Sequence, residues 1–111
     1  KTIILSFWHS ANVEMRLDNR ELMEIYDTYS PKGLEVFQVA IDTDKTAWAL
    51  AVREQSLPWV SVCDGLGGYS PALVTYNVGE LPAYFIINSD EEILARTASL
   101  DEVARIVKSL L

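Results

Sequence analysis

Phe7-Trp8-His9-Ser10-Ala11-Asn12-Val13-Glu14-Met15-Arg16 joins two kinds of sequence, and the fold turns on that junction. Upstream, Ile3 to Trp8 is an apolar run with β-branched and aromatic residues, short enough for a buried strand. Downstream, Asn12 to Tyr29 carries Leu17, Leu22, Met23, Ile25, Tyr26 and Tyr29 mostly at three- and four-residue spacings, with acidic residues between them. That period predicts an amphipathic helix. Ser30-Pro31-Lys32-Gly33 stops it, and Leu34 to Ile41 reads as a second strand. Two strands joined by one helix predict a right-handed parallel crossover.

The rest of the chain extends that unit. Asp42-Thr43-Asp44 supplies N-cap chemistry for a helix from about Lys45 to Gln55. Leu57 to Val62 is extended and suits a sheet edge, because Pro58 cannot donate to a ladder. Gly65, Gly67 and Gly68 make a loop before a helical turn near Ala72 to Tyr76. Ala83 to Asn88 and Ile93 to Thr97 flank a turn-rich segment and predict a hairpin. Ser99-Leu100-Asp101-Glu102 fits a capping box, with Glu102 expected to reach back to the cap. The last helix presents Val103, Ile106, Val107, Leu110 and Leu111 on one face. The expected architecture is an α/β three-layer sandwich: a mixed sheet of four to five strands with helices on both faces.

Composition narrows the function. The 111 residues suit one domain spanning 1–111, and folding should bury roughly 60 to 70% of the unfolded chain's surface. Nine basic side chains face sixteen acidic ones, giving a net charge of −7, which argues against a nucleic-acid partner. The acidic residues are scattered and read as a solvated surface, with a basic partner as the alternative. Cys63 is the single cysteine and His9 the single histidine, so an internal disulfide is excluded and an all-protein transition-metal site is not expected. No apolar stretch is long enough to span a bilayer. Lys1 leads directly into the strand-like Thr2-Ile3-Ile4-Leu5, so we expect a C-terminal domain continuing a longer protein. Any targeting segment would then lie upstream.

Element order and residues together resemble the thioredoxin fold, and more narrowly the TlpA/ResA-like (AhpC/TSA-type) thiol–disulfide oxidoreductases. The resemblance covers nearly the whole chain. It rests on Phe7, Trp8, Ser10 and Arg16 in register, then Tyr26, Tyr29 and Lys32-Gly33, then Val39-Ala40-Ile41-Asp42 and Trp48. It continues through Leu57-Pro58-Trp59, Tyr76-Asn77-Val78 and Leu81-Pro82-Ala83-Tyr84-Phe85-Ile86-Ile87. The resemblance implies a bacterial cell-envelope protein, periplasmic or membrane-anchored, that uses no cofactor. It also implies a cis bond before Pro82 and aligns the two cysteines of the family's CxxC motif with Asn12 and Met15.

At those positions the family's chemistry is missing. Dithiol exchange needs a thiolate whose pKa is lowered at a helix N-terminus, and a second thiol to resolve the mixed disulfide. Asn12 has no sulfur, and the Met15 thioether cannot form a disulfide. Asn is a strong N-cap, able to accept from the amide of Glu14 or Met15, while Met15 fills the space beneath.

The remaining candidates each have a plain reading and a functional one. Cys63 reads as a small half-buried hydrophobe beside Asp64, or as a displaced nucleophile. His9 reads as a loop histidine bonded to local backbone, or as a base or anion contact near Asn12. Pro82 is either part of the fold alone or, with Leu81, Trp8 and the loop to Asn12, part of a peptide groove. Trp8, Trp48 and Trp59 read as core and groove-edge aromatics. Gly65 to Gly68 lacks the Lys-Ser/Thr ending of a phosphate loop. A receiver-like or nucleotide-binding domain is disfavoured because the first strand ends in Phe7-Trp8-His9-Ser10.

The expected function is therefore a redox-inactive binding or structural module, taking an extended peptide or a partner protein. The alternative is an oxidoreductase or isomerase using Cys63 or a partner's thiol.

Overall fold

The computed structural model describes residues 1–111. Nine main elements follow in order: β1 (Thr2–Trp8), α1 (Val13–Tyr29), β2 (Leu34–Ala40), α2 (Lys45–Gln55), β3 (Val60–Val62), α3 (Pro71–Thr75), β4 (Ala83–Ile87), β5 (Ile93–Thr97) and α4 (Leu100–Leu110). The sheet has five strands in the order β3-β2-β1-β4-β5. β1, β2 and β3 are parallel, whereas β4 and β5 run antiparallel to their neighbours. The sequence places every one of these elements, and Pro58 indeed precedes an edge strand.

Local chemistry fixes the element ends. Asn12, Asp44 and Ser99 each accept a backbone N–H of the first turn of their helix, from Met15, Ala47 and Glu102. Gly33 closes α1 and its following turn at φ 103°, a left-handed conformation that a side chain would strain. The capping box at Ser99 is only half formed. Glu102 pairs with Arg105 at 3.3 Å, and the Ser99 N–H is taken instead by the Thr97 hydroxyl at 3.0 Å. A carboxylate with a cation on its own helix face gains more there than by folding back onto an amide already bonded.

The two sheet faces are covered unequally. One face buries Ile4, Trp8, Val36 and Ile86 beneath α1, α2 and α4. The other buries Leu5, Phe7, Ile41 and Phe85 beneath α3 and the segment after it. There Phe7, Phe85 and Tyr76 pack with ring centroids 5.4 to 5.8 Å apart. Arg96 of β5 holds this thin layer down. Its guanidinium lies over Phe85 and donates to the carbonyls of Tyr76 and Asn77 at the end of α3. Leu17 and Leu110, expected on inner helix faces, are exposed instead: Leu17 lies opposite the Met15, Asn19 and Leu22 face that α1 buries, and Leu110 sits at the margin of the α4 stripe.

A buried amide network crosses the thicker face. Gln38 Nε2 donates to Asn19 Oδ1 at 2.7 Å and to Ser6 Oγ at 3.2 Å, while Gln38 Oε1 accepts the Trp59 indole N–H at 2.7 Å. Asn19 Nδ2 donates to Gln55 Oε1 at 3.0 Å, and Gln55 Nε2 donates to the Arg16 carbonyl at 2.7 Å. One contiguous set of bonds thus joins β1, β2, α1, α2 and the approach to β3. Replacing Gln38 with Leu leaves Asn19 and the Trp59 N–H without their partner in a dry interior, at about 1 to 3 kcal/mol for each group stranded. We expect Gln38→Leu to lose about 3 kcal/mol in total. Guanidinium titration should show the midpoint falling at an unchanged slope; a midpoint equal to that of the parent would contradict the network's role.

Candidate functional site

The register of the central strands assembles the site. β1 pairs with β4 so that Phe7 faces Ala83, which sets the loop after Trp8 beside the Leu81–Pro82 segment before β4. The Leu81–Pro82 peptide is cis. β2 ends alongside, with the Ile41 N–H donating to the Trp8 carbonyl at 2.7 Å. Three chain segments therefore converge at one end of the sheet: residues 8–12, 40–42 and 81–83.

Asn12 works as the start of α1. Its Oδ1 accepts the Met15 N–H at 3.0 Å, and its carbonyl accepts the Arg16 N–H at 3.1 Å. Met15 is buried, with its sulfur 3.4 Å from the His9 N–H, a weak acceptor beneath the loop. His9 Nδ1 accepts the Ala11 N–H at 3.1 Å, so the neutral ring carries its proton on Nε2. His9 is thus bonded to local backbone, and its other nitrogen is free to face outward.

The loop is anchored by Asp42, which the sequence offered only as N-cap chemistry and as the end of a family-like strand. Asp42, 2% exposed, accepts the Ser10 N–H on Oδ1 at 3.0 Å and the Ser10 hydroxyl on Oδ2. Its carbonyl takes the Gly67 N–H at 3.3 Å and faces the Cys63 thiol at 3.7 Å. Gly67 has φ 54°, and a Cβ there would meet Thr43 at 2.7 Å, so only glycine lets this backbone approach so closely. The signal that could have identified Asp42 was an acid closing an otherwise apolar strand. Cys63 is half-buried against the core and is linked to the loop through Asp42.

Trp8 departs from the expectation of a groove wall. It is 1% exposed and lies in the core, because the even-numbered residues of β1 point into the thicker face. Leu81 and Pro82 are half-buried. The concavity beside Pro82 is lined by Glu80, Ala83, Arg96 and Thr97, so it opens toward β5 rather than toward Asn12. His9, Asn12, Leu81 and Pro82 remain as the accessible candidates. No three His, Cys, Asp or Glu side chains come together in a metal-holding arrangement, and no helix is long and apolar enough to cross a membrane.

Carboxylates crowd the flank of α1 that faces β4. Partial burial, then repulsion from Glu14, raises the Asp18 carboxyl above its ordinary value of 3.8. Burial, then Asp18 and Glu21, pushes the Tyr84 phenol well up. A raised carboxyl binds its proton more tightly when folded. Its contribution to stability is therefore fully present below the unfolded value of 3.8 and is lost as pH rises through the folded one. Asp18→Asn should accordingly stabilise the protein at neutral pH and give no advantage once the unfolded carboxyl is protonated. Denaturation midpoints across the acid range test this; an advantage independent of pH would refute it.

Known proteins resemble the chain throughout its length. The structure of a thiol–disulfide oxidoreductase from Bacteroides fragilis superposes with a TM-score of 0.91 at 28% identity, covering 100% of this chain and 82% of that one. The solution structure of an uncharacterized thioredoxin-like protein from Bacteroides vulgatus is 32% identical, with a TM-score of 0.84, covering 99% of this chain and 71% of the other. Among curated sequences, the thiol–disulfide oxidoreductase ResA of Bacillus cereus is 28% identical over 99 residues. This chain spans about half the length of the curated relatives it matches, 54% of that ResA. No family model matches. With a mixed five-stranded sheet and these relatives, the chain belongs to the thioredoxin-like thiol–disulfide oxidoreductase family.

Proposed function

We propose that this domain keeps the thioredoxin fold but not dithiol exchange, and serves as a binding or structural module. The observation that carries the reading is the hydrogen bond from the Met15 N–H to Asn12 Oδ1. The N-terminus of α1 would stabilise a thiolate through its amides and dipole, and here a neutral carboxamide occupies that place. Met15 cannot resolve a disulfide, and its sulfur already faces the His9 amide. The thiol of Cys63 points at a backbone carbonyl and is half-buried, which favours a packing role over a nucleophilic one. Binding would use the outer side of the His9–Asn12 loop with Leu81 and Pro82, whose main chain runs beside it. The occupant we favour is an extended peptide or a partner protein. The family resemblance supports a setting in the bacterial cell envelope.

The decisive experiment offers the protein a disulfide substrate together with a reductant-regenerating system. We expect no turnover above the buffer blank. Turnover that disappears in Cys63→Ser would overturn the proposal in favour of an enzyme that uses a displaced thiol. A companion variant tests the alignment itself. Asn12→Cys combined with Met15→Cys should lose both free thiols to an internal disulfide when treated with diamide, leaving Cys63 as the single thiol that reacts. Three reactive thiols in the folded, oxidant-treated variant would show that positions 12 and 15 are not the dithiol positions.

A further inference from the structure

The charges of α1 are sorted by flank. Glu21 and Glu24 border a groove with Asp101 of α4. Arg16 and Arg20 border a different groove, of about 490 Å³, between α1 and α2. Its apolar surface comes from Val13, Leu17 and Met23. Val13 is 71% and Leu17 52% exposed, which is unusual for two aliphatic residues one turn apart on a helix that also packs against a sheet.

Two observations make this groove a built feature. Its width is fixed from below, because Gln55 binds both Asn19 and the Arg16 carbonyl and so pins α2 to α1. Its charge is also opposite to that of the molecule. Two guanidinium groups and one carboxylate line it, in a chain whose net charge is −7. The Arg16–Glu54 pair is long at 3.8 Å and solvent-exposed, so it neutralises little. Arg20 has no carboxylate partner.

We propose that the α1/α2 groove docks an extended partner segment that presents apolar side chains and carboxylates on the same face, at every second residue. Leucine-like side chains would cover Val13, Leu17 and Met23, while the carboxylates meet Arg20 and Arg16. From Val13 to Met23 the groove runs about 15 Å, enough for four or five residues of extended chain. A second copy of this chain is the poorer occupant, since bringing two strongly acidic molecules together works against the local attraction. The groove begins one residue past Asn12, and its occupancy does not depend on the function proposed for the Leu81–Pro82 segment.

The test uses a fluorescein-labelled heptapeptide of sequence Leu-Ser-Glu-Ser-Leu-Ser-Glu, whose leucines and glutamates share one face when extended, with the same peptide carrying lysine for glutamate as control. Fluorescence anisotropy should show saturable binding of the glutamate peptide that weakens as salt is raised. Arg20→Glu and Leu17→Asp, both at exposed positions, should each weaken it at least tenfold, with circular dichroism confirming that the variants are folded. Leu81→Ala should leave this binding unchanged, which separates the groove from the cis-proline segment. Equal binding of the lysine peptide, an unchanged affinity in Arg20→Glu, or no binding into the millimolar range would overturn the proposal. So would sedimentation showing that the protein self-associates through Leu17.

Discussion

The placement of Gln38 constrains everything else in this molecule. A primary amide with no exposed surface must satisfy its donors and acceptor inside the protein, or the fold loses more than a typical domain can spare. Gln38 does so by engaging Ser6, Asn19 and Trp59, which lie on β1, on α1 and ahead of β3. Apolar packing alone tolerates small slips of a helix across a sheet. A directional set of bonds admits one arrangement, so α1 is fixed in rotation as well as in distance. The start of α1, and with it the position of Asn12, follows from that restraint.

A second buried polar group acts just past the end of the same strand. Asp42 takes both the amide and the hydroxyl of Ser10, and its own carbonyl holds the glycine loop. Neither Asp42 nor Gln38 needs a thiol at position 12 or 15. The bonds that anchor the loop and orient α1 thus involve neither the Asn12 side chain nor the Met15 sulfur. One scaffold of this kind can carry different functions on its surface.

Much of the fold was legible because it is written locally. Asn12, Asp44 and Ser99 announce helix starts through bonds spanning three residues, and the apolar runs of β1, β2 and β4 are strands wherever they lie. Leu81 and Pro82 stood out through the family resemblance, and His9 as the single histidine just ahead of Asn12. What stayed hidden depends on partners distant in sequence. Gln38 occupies an inward position between Val36 and Ala40, a polar residue where the period of two calls for an apolar one. Its meaning appears only when Asn19 and Trp59 arrive beside it. Asp42 is hidden for the same reason, since its partner Ser10 lies thirty-two residues away. Trp8 was misplaced because a tryptophan beside a motif invites a surface role, whereas strand alternation turns it inward. Glu102 went elsewhere because Arg105 offers a better partner on its own helix.

The unequal covering of the two faces bears on how the molecule breathes. Three helices seal one side, while the other relies on the five residues of α3, on the Gly67 bond to the Asp42 carbonyl and on one guanidinium gripping the carbonyls at the end of α3. Opening in such a structure is regional, and the region with the fewest cross-links opens first. Amide hydrogens in the segment from Asp64 to Leu81 should therefore exchange with solvent while those of β1 and α1 are still protected. The stretch that leads into Pro82 would then sample open forms at a small fraction of the cost of unfolding. Motion in this chain would then concentrate in one connecting segment and leave the central strands in place.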